Sequence, residues 1–188
     1  MKSILQRAVD DTRELLPRLL ALEPQMTALA EAMMAAWSRK GKVLVAGNGG
    51  SASDAMHLAE ELVARFQKNR RALAAIALCD PTVLTCAAND FGFDEVFSRQ
   101  VEAFGNAGDV LIVFSTSGNS PNILRAIAAA KRQGLVTAAF LGRDGGKAKA
   151  QGGCEIELIV PAQASHRIQE GHKILYHSLC EWVDERVD

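Results

Sequence analysis

From residue 39 onward, short apolar runs alternate with longer amphipathic stretches. The runs are Lys42-Val-Leu-Val-Ala46, Ala72–Leu78, Asp109–Phe114, Leu135–Leu141 and Glu155–Val160. Runs this short, bounded by turn residues, read as strands. Their continuous hydrophobicity, without polar alternation, marks strands buried on both faces, as in a parallel sheet. Helical spacing predicts helices over about Ser53–Phe66, Thr82–Ala88, Asp94–Phe104 and Pro121–Gln133, and a last one from about Ser165 to Glu185. Strands alternating with helices imply parallel βαβ units. The expected fold class is therefore α/β: a three-layer, doubly wound, five-stranded parallel sheet.

Ahead of this pattern, residues 2–38 are helix-rich. Leu5, Val9, Leu15, Leu16, Leu19 and Leu20 recur at helical spacing, Glu23-Pro24 punctuates the run, and a second helix covers about 25–38. So much apolar face needs a partner, part of which another subunit would supply. With no linker or low-complexity segment, residues 1–188 read as one domain, with a helical N-terminal arm (1–38) before an α/β core (39–188). Gly142-Arg-Asp-Gly-Gly-Lys147 reads as a surface loop.

Composition narrows the class. The chain has 188 residues, 48% of them hydrophobic, enough for a globular core. Its 21 basic and 22 acidic residues leave a net charge of −1, so there is no electrostatic case for nucleic acid. The most basic stretch, Lys68-Asn-Arg70-Arg71, reads as a solvated loop. None of the four cysteines sits in a C-x-x-C pair, and three lie in apolar surroundings, which suits buried free thiols in a reducing compartment. No apolar run is long enough to span a membrane, and the N-terminus lacks signal-peptide features; the expected location is the cytoplasm.

In open parallel sheets ligands sit beyond the carboxyl ends of the strands, where the strand order switches. That directs attention to two loops. Gly47-Asn-Gly-Gly-Ser51 follows the first strand, and its glycines permit close approach of a ligand to a helix N-terminus. A plain strand-to-helix turn would use the same residues. Ser115-Thr-Ser-Gly-Asn-Ser120 follows the third. Ser120 suits an N-cap and Pro121 a first helical position. Ser115, Thr116 and Ser117 exceed that need, and they form a neutral anion cradle suited to a sugar phosphomonoester.

Chemistry-bearing side chains lie on two helices. His57 and Glu61, four apart, share a face beside a core stripe drawn through Ala55, Met56, Ala59, Leu62, Val63 and Phe66, with Glu60 directed to solvent. An ordinary surface pair would look the same. On the final helix Gln169, Lys173 and His177 step by four, whereas His172 lies about 140° round from His177 and faces elsewhere. Gly171 is an odd choice inside a helix. His57, Glu61, Gln169 and His177 offer two nitrogen and two oxygen ligands for a divalent metal, and two His with a carboxylate make an ordinary zinc set. Equally, Glu61 and His177 would serve as an acid–base pair without metal. Asn89 and Asp90 add an amide and a carboxylate after the second strand, in reach of a substrate hydroxyl.

Together, GNGGS, DAMHLAEEL, NDFGF, FSRQVEA, GDVLIVFSTSGNS and RIQEGHKILYH, in this order, resemble the phosphoheptose isomerases of the sugar isomerase (SIS) domain superfamily, over essentially the whole chain. The resemblance implies a flavodoxin-like SIS fold and conversion of sedoheptulose 7-phosphate to D-glycero-D-manno-heptose 7-phosphate, the first step of nucleotide-heptose precursor synthesis. It implies phosphate held by Ser115, Thr116, Ser117 and Ser120 with Ser51 nearby, and sugar contacts from Asn48, Gly49, Gly50, Asn89, Asp90 and Gln169. It also implies one zinc per subunit on His57, Glu61, Gln169 and His177, acid–base roles for Glu61 and His177, and a homotetramer with sites at subunit interfaces. His166 stands where the family often has a small or acidic residue, and is expected to be exposed. Ala52 and Ser53 also depart from the family's usual pairs. The rival readings are non-catalytic SIS proteins that bind phosphosugars or a replication initiator; the completeness of both helical residue sets argues against them.

Overall fold

The computed structural model describes residues 2–188. Helix α1 (Ile4–Leu19) leads through a short 3-10 turn to α2 (Glu23–Ser38). The chain then alternates: β1 (Val43–Gly47), α3 (Gly50–Val63), β2 (Ala75–Ala77), α4 (Pro81–Phe91), α5 (Ser98–Phe104), β3 (Val110–Ser115), α6 (Pro121–Arg132), β4 (Val136–Gly142), α7 (Gly146–Ala150), β5 (Ile156–Val160) and α8 (Ser165–Asp184). The five strands form one sheet in the order β2-β1-β3-β4-β5, and every pairing is parallel. This is the doubly wound flavodoxin-like order.

Strand periodicity divides the core in two. Val43, Val45, Val110, Ile112, Phe114, Phe140, Leu158 and Val160 face α1, α2, α3 and α8. Their alternates Leu44, Ala46, Leu111, Val113, Ala139 and Leu141 face α4, α5, α6 and α7. Both faces are covered, which is why β1 and β3 are buried at every position. Helix α2 belongs to the first layer, with Leu29, Ala30, Met33 and Ala36 wholly buried. Pro24 opens that helix instead of breaking the chain between two. On α1, Leu15 and Leu19 face inward while Ile4, Leu5, Val9 and Leu16 remain exposed, as does Leu20 in the turn after it.

Three local expectations need correction. Helix α3 starts at Gly50, three residues before the expected Ser53, because Gly49 turns the chain with φ +57° and lets the helix begin almost at the strand end. Its inward face is Ala55, Leu58, Ala59 and Leu62, while Met56 and Val63 are exposed; the apolar residues cover more than one face, and packing against the sheet chose between them. The Lys68–Arg71 stretch is not wholly solvated. Arg70 folds inward to pair with Asp184 at 2.7 Å, with both side chains buried. Of the four free cysteines only Cys180 is buried; Cys79 and Cys154 are half-buried and Cys86 exposed. Among the described residues no helix is long and apolar enough to cross a membrane.

Candidate functional site

β1 and β3 are neighbours in the sheet, but α3 leaves β1 toward one face and α6 leaves β3 toward the other. The crevice between them opens at the strands' carboxyl ends, where both unusual loops lie. The two loops are tied together by a reciprocal amide pair. Asn48 Nδ2 donates to Asn122 Oδ1 and Asn122 Nδ2 donates to Asn48 Oδ1, both at 2.9 Å. Asn122 is buried in the first turn of α6, and nothing in its local sequence marked it. The Asn48 side chain is thus engaged in joining the loops.

The hydroxyls of the serine loop divide their work differently from expectation. Ser115 Oγ accepts from the Gly118 N–H at 3.1 Å, and Ser117 Oγ from the Asn119 N–H at 3.2 Å. Thr116 Oγ1 donates to Ser165 Oγ at 3.3 Å, tying the loop to the start of α8. Ser120 occupies the N-cap position of α6, yet its hydroxyl makes no capping bond. The serine that local structure seemed to explain is therefore the one whose side chain the helix does not use. Gly118 sits at φ +63°, and a Cβ there would meet the Gly145 carbonyl oxygen at 2.0 Å. Ala148 N–H donates to the Gly118 carbonyl at 2.8 Å and Lys147 N–H to Asn119 Oδ1 at 3.0 Å. So the 142–147 segment, expected to be a surface loop, starts α7 and braces the serine loop.

Helices α3 and α8 run side by side in matched register. Gln169 lies against Gly50 and Ser51, its Nε2 3.5 Å from Ser51 Oγ. One turn on, Lys173 faces Asp54 at 3.5 Å. A further turn on, the Tyr176 hydroxyl contacts His57 Nδ1 at 3.0 Å. His57 Nε2 in turn lies 3.1 Å from Glu61 Oε1. The rings of His57 and His177 stand 5.1 Å apart, edge to face, and Phe66 stacks on His177 at 5.8 Å.

His57, Glu61 and His177 each offer a ligand atom within 4.8 Å of the others, all three groups being half-buried. Two imidazoles and a carboxylate at that spacing fit a divalent cation of the zinc type. Gln169 is eight residues from His177, roughly 12 Å along the helix axis. Its amide rests against Gly50 and Ser51. Burial, with His57 and Lys173 beside it, holds the His177 imidazole below its ordinary value, against the opposing pull of Glu61. Burial raises the Asp54 carboxyl, an effect that Lys173 opposes.

The remaining expected residues lie elsewhere. Asn89 and Asp90 are exposed on the last turn of α4, bonded to each other at 2.7 Å. Asp90 also accepts from Cys86 at 3.6 Å. Among the described residues no hydrogen bond links either to α3, α8 or the serine loop. The expected helix Thr82–Ala88 continues to Phe91, so the pair lies on a helix and not in a loop. His166 is exposed, as expected, and Glu60 likewise. His172 is fully buried with Nε2 2.9 Å from the Leu141 carbonyl, facing away from the trio. Gly171 has a plain reason: a Cβ there would lie 2.7 Å from Val160 Cγ1, so the glycine lets α8 lie close on β5.

Comparison with known proteins identifies the family. Residues 9–142 match the SIS domain family. A phosphoheptose isomerase from Fusobacterium nucleatum is 54% identical over 143 residues, covering 76% of this chain and 73% of that protein. The structure of a phosphoheptose isomerase from Francisella tularensis superposes with a TM-score of 0.94 at 35% identity, covering 99% of this chain and 100% of that one. The phosphoheptose isomerase structure from Neisseria gonorrhoeae gives a TM-score of 0.90 at 39% identity, covering 97% and 100%. With its fold shared with both solved structures over almost its whole length, the chain belongs to the SIS domain family, within the phosphoheptose isomerase group.

Proposed function

We propose that this sugar-phosphate isomerase converts sedoheptulose 7-phosphate to D-glycero-D-manno-heptose 7-phosphate through an enediol, as the first step toward a nucleotide-activated heptose. The observation that carries the reading is the convergence of His57, Glu61 and His177 beside the crevice at the strand-order switch. The phosphate is assigned to the loop from Ser115 to Ser120, with the free Ser120 hydroxyl and the start of α6 as donors. The sugar chain then runs past Ser51 and Gln169 toward the trio. Asn48, Gly49, Gly50, Asn89 and Asp90 complete the proposed sugar contacts. Asn89 and Asp90 would serve a site completed by another subunit of a homotetramer. The exposed apolar residues of α1, together with Phe91 at 54% and Phe93 at 59% exposure, support such an assembly.

Glu61 takes the C1 proton of the ketose and returns it to C2, while O2 gains a proton and O1 loses one. His177 manages the oxygen protons; burial and its neighbours lower its affinity for a proton, which favours the neutral imidazole that acts as a base. Zinc, one ion per subunit, would be held by His57, Glu61 and His177, with Gln169 the expected fourth ligand. Bound there, it would supply Lewis-acid polarisation of the sugar carbonyl. The proposed location is the cytoplasm.

The test is turnover of sedoheptulose 7-phosphate by purified protein, with and without added zinc. Glu61→Gln should cut kcat by about 10²–10⁴-fold with an unchanged fold. Binding of the ketose phosphate without turnover in either condition would overturn the enzyme reading and leave a phosphosugar-binding protein.

A further inference from the structure

Behind His57 lies a line of polar contacts that the proposed reaction does not require. Asp54 Oδ1 lies 3.5 Å from Lys173 Nζ, Lys173 Nζ donates to the Tyr176 hydroxyl at 2.8 Å, and that hydroxyl meets His57 Nδ1 at 3.0 Å. We infer that Tyr176 is a positioning residue for His57, its hydroxyl setting the tautomer and aim of the imidazole while Lys173 and Asp54 hold it from behind. The inference rests on the proposed role of the His57, Glu61 and His177 trio.

The directions of the bonds follow from what each group can give. An ammonium only donates, so the Tyr176 oxygen accepts from Lys173. An ionised carboxylate only accepts, so the His57 Nε2 that faces Glu61 carries a proton and donates it. A neutral imidazole has one ring proton, so Nδ1 is left as a lone pair and receives the Tyr176 O–H. Every bond then runs one way, from Lys173 through Tyr176 and His57 to Glu61. The tyrosine cannot swing aside. It is fully buried, stands edge-on to Phe114 with centroids 6.0 Å apart, and meets the His57 ring edge at 5.5 Å.

The choice of a hydroxyl has a chemical point. Since Nδ1 is taken by Tyr176, Nε2 is the nitrogen left to serve a cation. An imidazole ligating through Nε2 carries its proton on Nδ1, and the contact to Tyr176 must then reverse. A carboxylate or a carbonyl at this place would only accept, whereas a phenol serves both directions. Partners of this kind orient a ligating imidazole and tune its basicity. Asp54 adds the anchor: its Oδ2 is buried without a partner among the described residues, so the carboxylate is committed to Lys173 alone.

The experiment reads His57 directly. In metal-free protein labelled with ¹⁵N-histidine, long-range ¹⁵N–¹H spectra should show His57 as a single Nε2–H tautomer, its signal identified among the 4 histidines by loss in His57→Gln. Tyr176→Phe keeps the packed ring and removes the hydroxyl; it should give a tautomer mixture with an intact cooperative melt. The chain has 1 tyrosine, so ¹³Cζ-tyrosine labelling gives one resonance, expected to shift in Lys173→Met and Asp54→Asn. In chelator competition with Zn²⁺ alone, Tyr176→Phe should weaken binding about 10–100-fold and Lys173→Met should weaken it less. An unchanged His57 tautomer in Tyr176→Phe overturns the inference, as does wild-type zinc affinity in that variant. An unmoved tyrosine resonance in Lys173→Met overturns the clamp. If wild-type protein takes up no zinc, the metal reading falls by itself, and the tautomer spectra decide the positioning role.

Discussion

Arg70 reaches from the loop after α3 to Asp184 near the end of α8, Nε to Oδ1 at 2.7 Å, with side chains only 1% and 5% exposed. The same guanidinium donates to the carbonyls of Glu61 at 2.7 Å and Leu62 at 3.0 Å. One cation therefore closes the last turn of the helix that carries Glu61 and pins it to the helix that carries His177. Burial alone would raise the Asp184 carboxyl, but the Gln67 N–H, Arg70 and the Lys68 N–H outweigh it and hold the group below its ordinary value.

Arg70→Met should be strongly destabilising, by about 3–5 kcal/mol, because it leaves Asp184 as an uncompensated buried charge. The double variant Arg70→Met/Asp184→Leu should recover much of that loss. Urea unfolding of the two variants and the wild type checks both statements.

The serine loop allows two hydroxyl deletions to be told apart. Ser115→Ala removes the acceptor for the Gly118 N–H and should cost about 1 kcal/mol of stability. Ser120→Ala removes no bond that the fold uses, so stability should hold while affinity for a sugar phosphate falls. Thermal melts paired with calorimetric titration of the ketose phosphate separate the two effects.

Stability should decline on mild acidification. Burial among aromatic rings pushes His172 down to about 4 from an ordinary value of 6.5, against the opposing bond to the Leu141 carbonyl. Between these values the unfolded chain binds a proton that the folded protein refuses. The contribution is therefore complete above pH 6.5 and is lost as pH falls through 4, about 3 kcal/mol in all. His172→Gln keeps a donor for Leu141 and should flatten the stability–pH curve over that window, measured by urea midpoints at successive pH values.

Gly171→Ala sets two effects against each other. Alanine gains about 1 kcal/mol of helix propensity. Its Cβ would lie 2.7 and 3.1 Å from the two methyls of buried Val160, and such overpacking costs roughly 1–3 kcal/mol. A branched side chain within a strand cannot swing clear, so net destabilisation is expected. Val160→Ala added to Gly171→Ala should relieve the clash, and the double-mutant cycle would show the coupling.

The sheet was legible because its central strands, buried on both faces, show themselves as unbroken apolar runs. His57, Glu61 and His177 were legible because their spacing on helices is fixed by the chain itself. What remained hidden depends on contacts between distant segments. Arg70 lies in a polar stretch, and only Asp184, more than a hundred residues later, draws it inward. Tyr176 occupies an inward helix position like any core residue, and only the matched register of α3 and α8 brings its hydroxyl to His57. The bracing of the serine loop by residues 145–148 follows from strand order, which no local pattern carries.

The amide pair between Asn48 and Asn122 has a consequence for selectivity. Because it joins the turn that launches α3 to the turn that launches α6, the proposed phosphate end and the proposed reaction end cannot drift apart. On the proposed function, the crevice would then work as a fixed-length gauge. A phosphosugar with a shorter carbon chain would anchor its phosphate and leave its carbonyl short of Glu61, whereas one of the right length would bridge the whole interval.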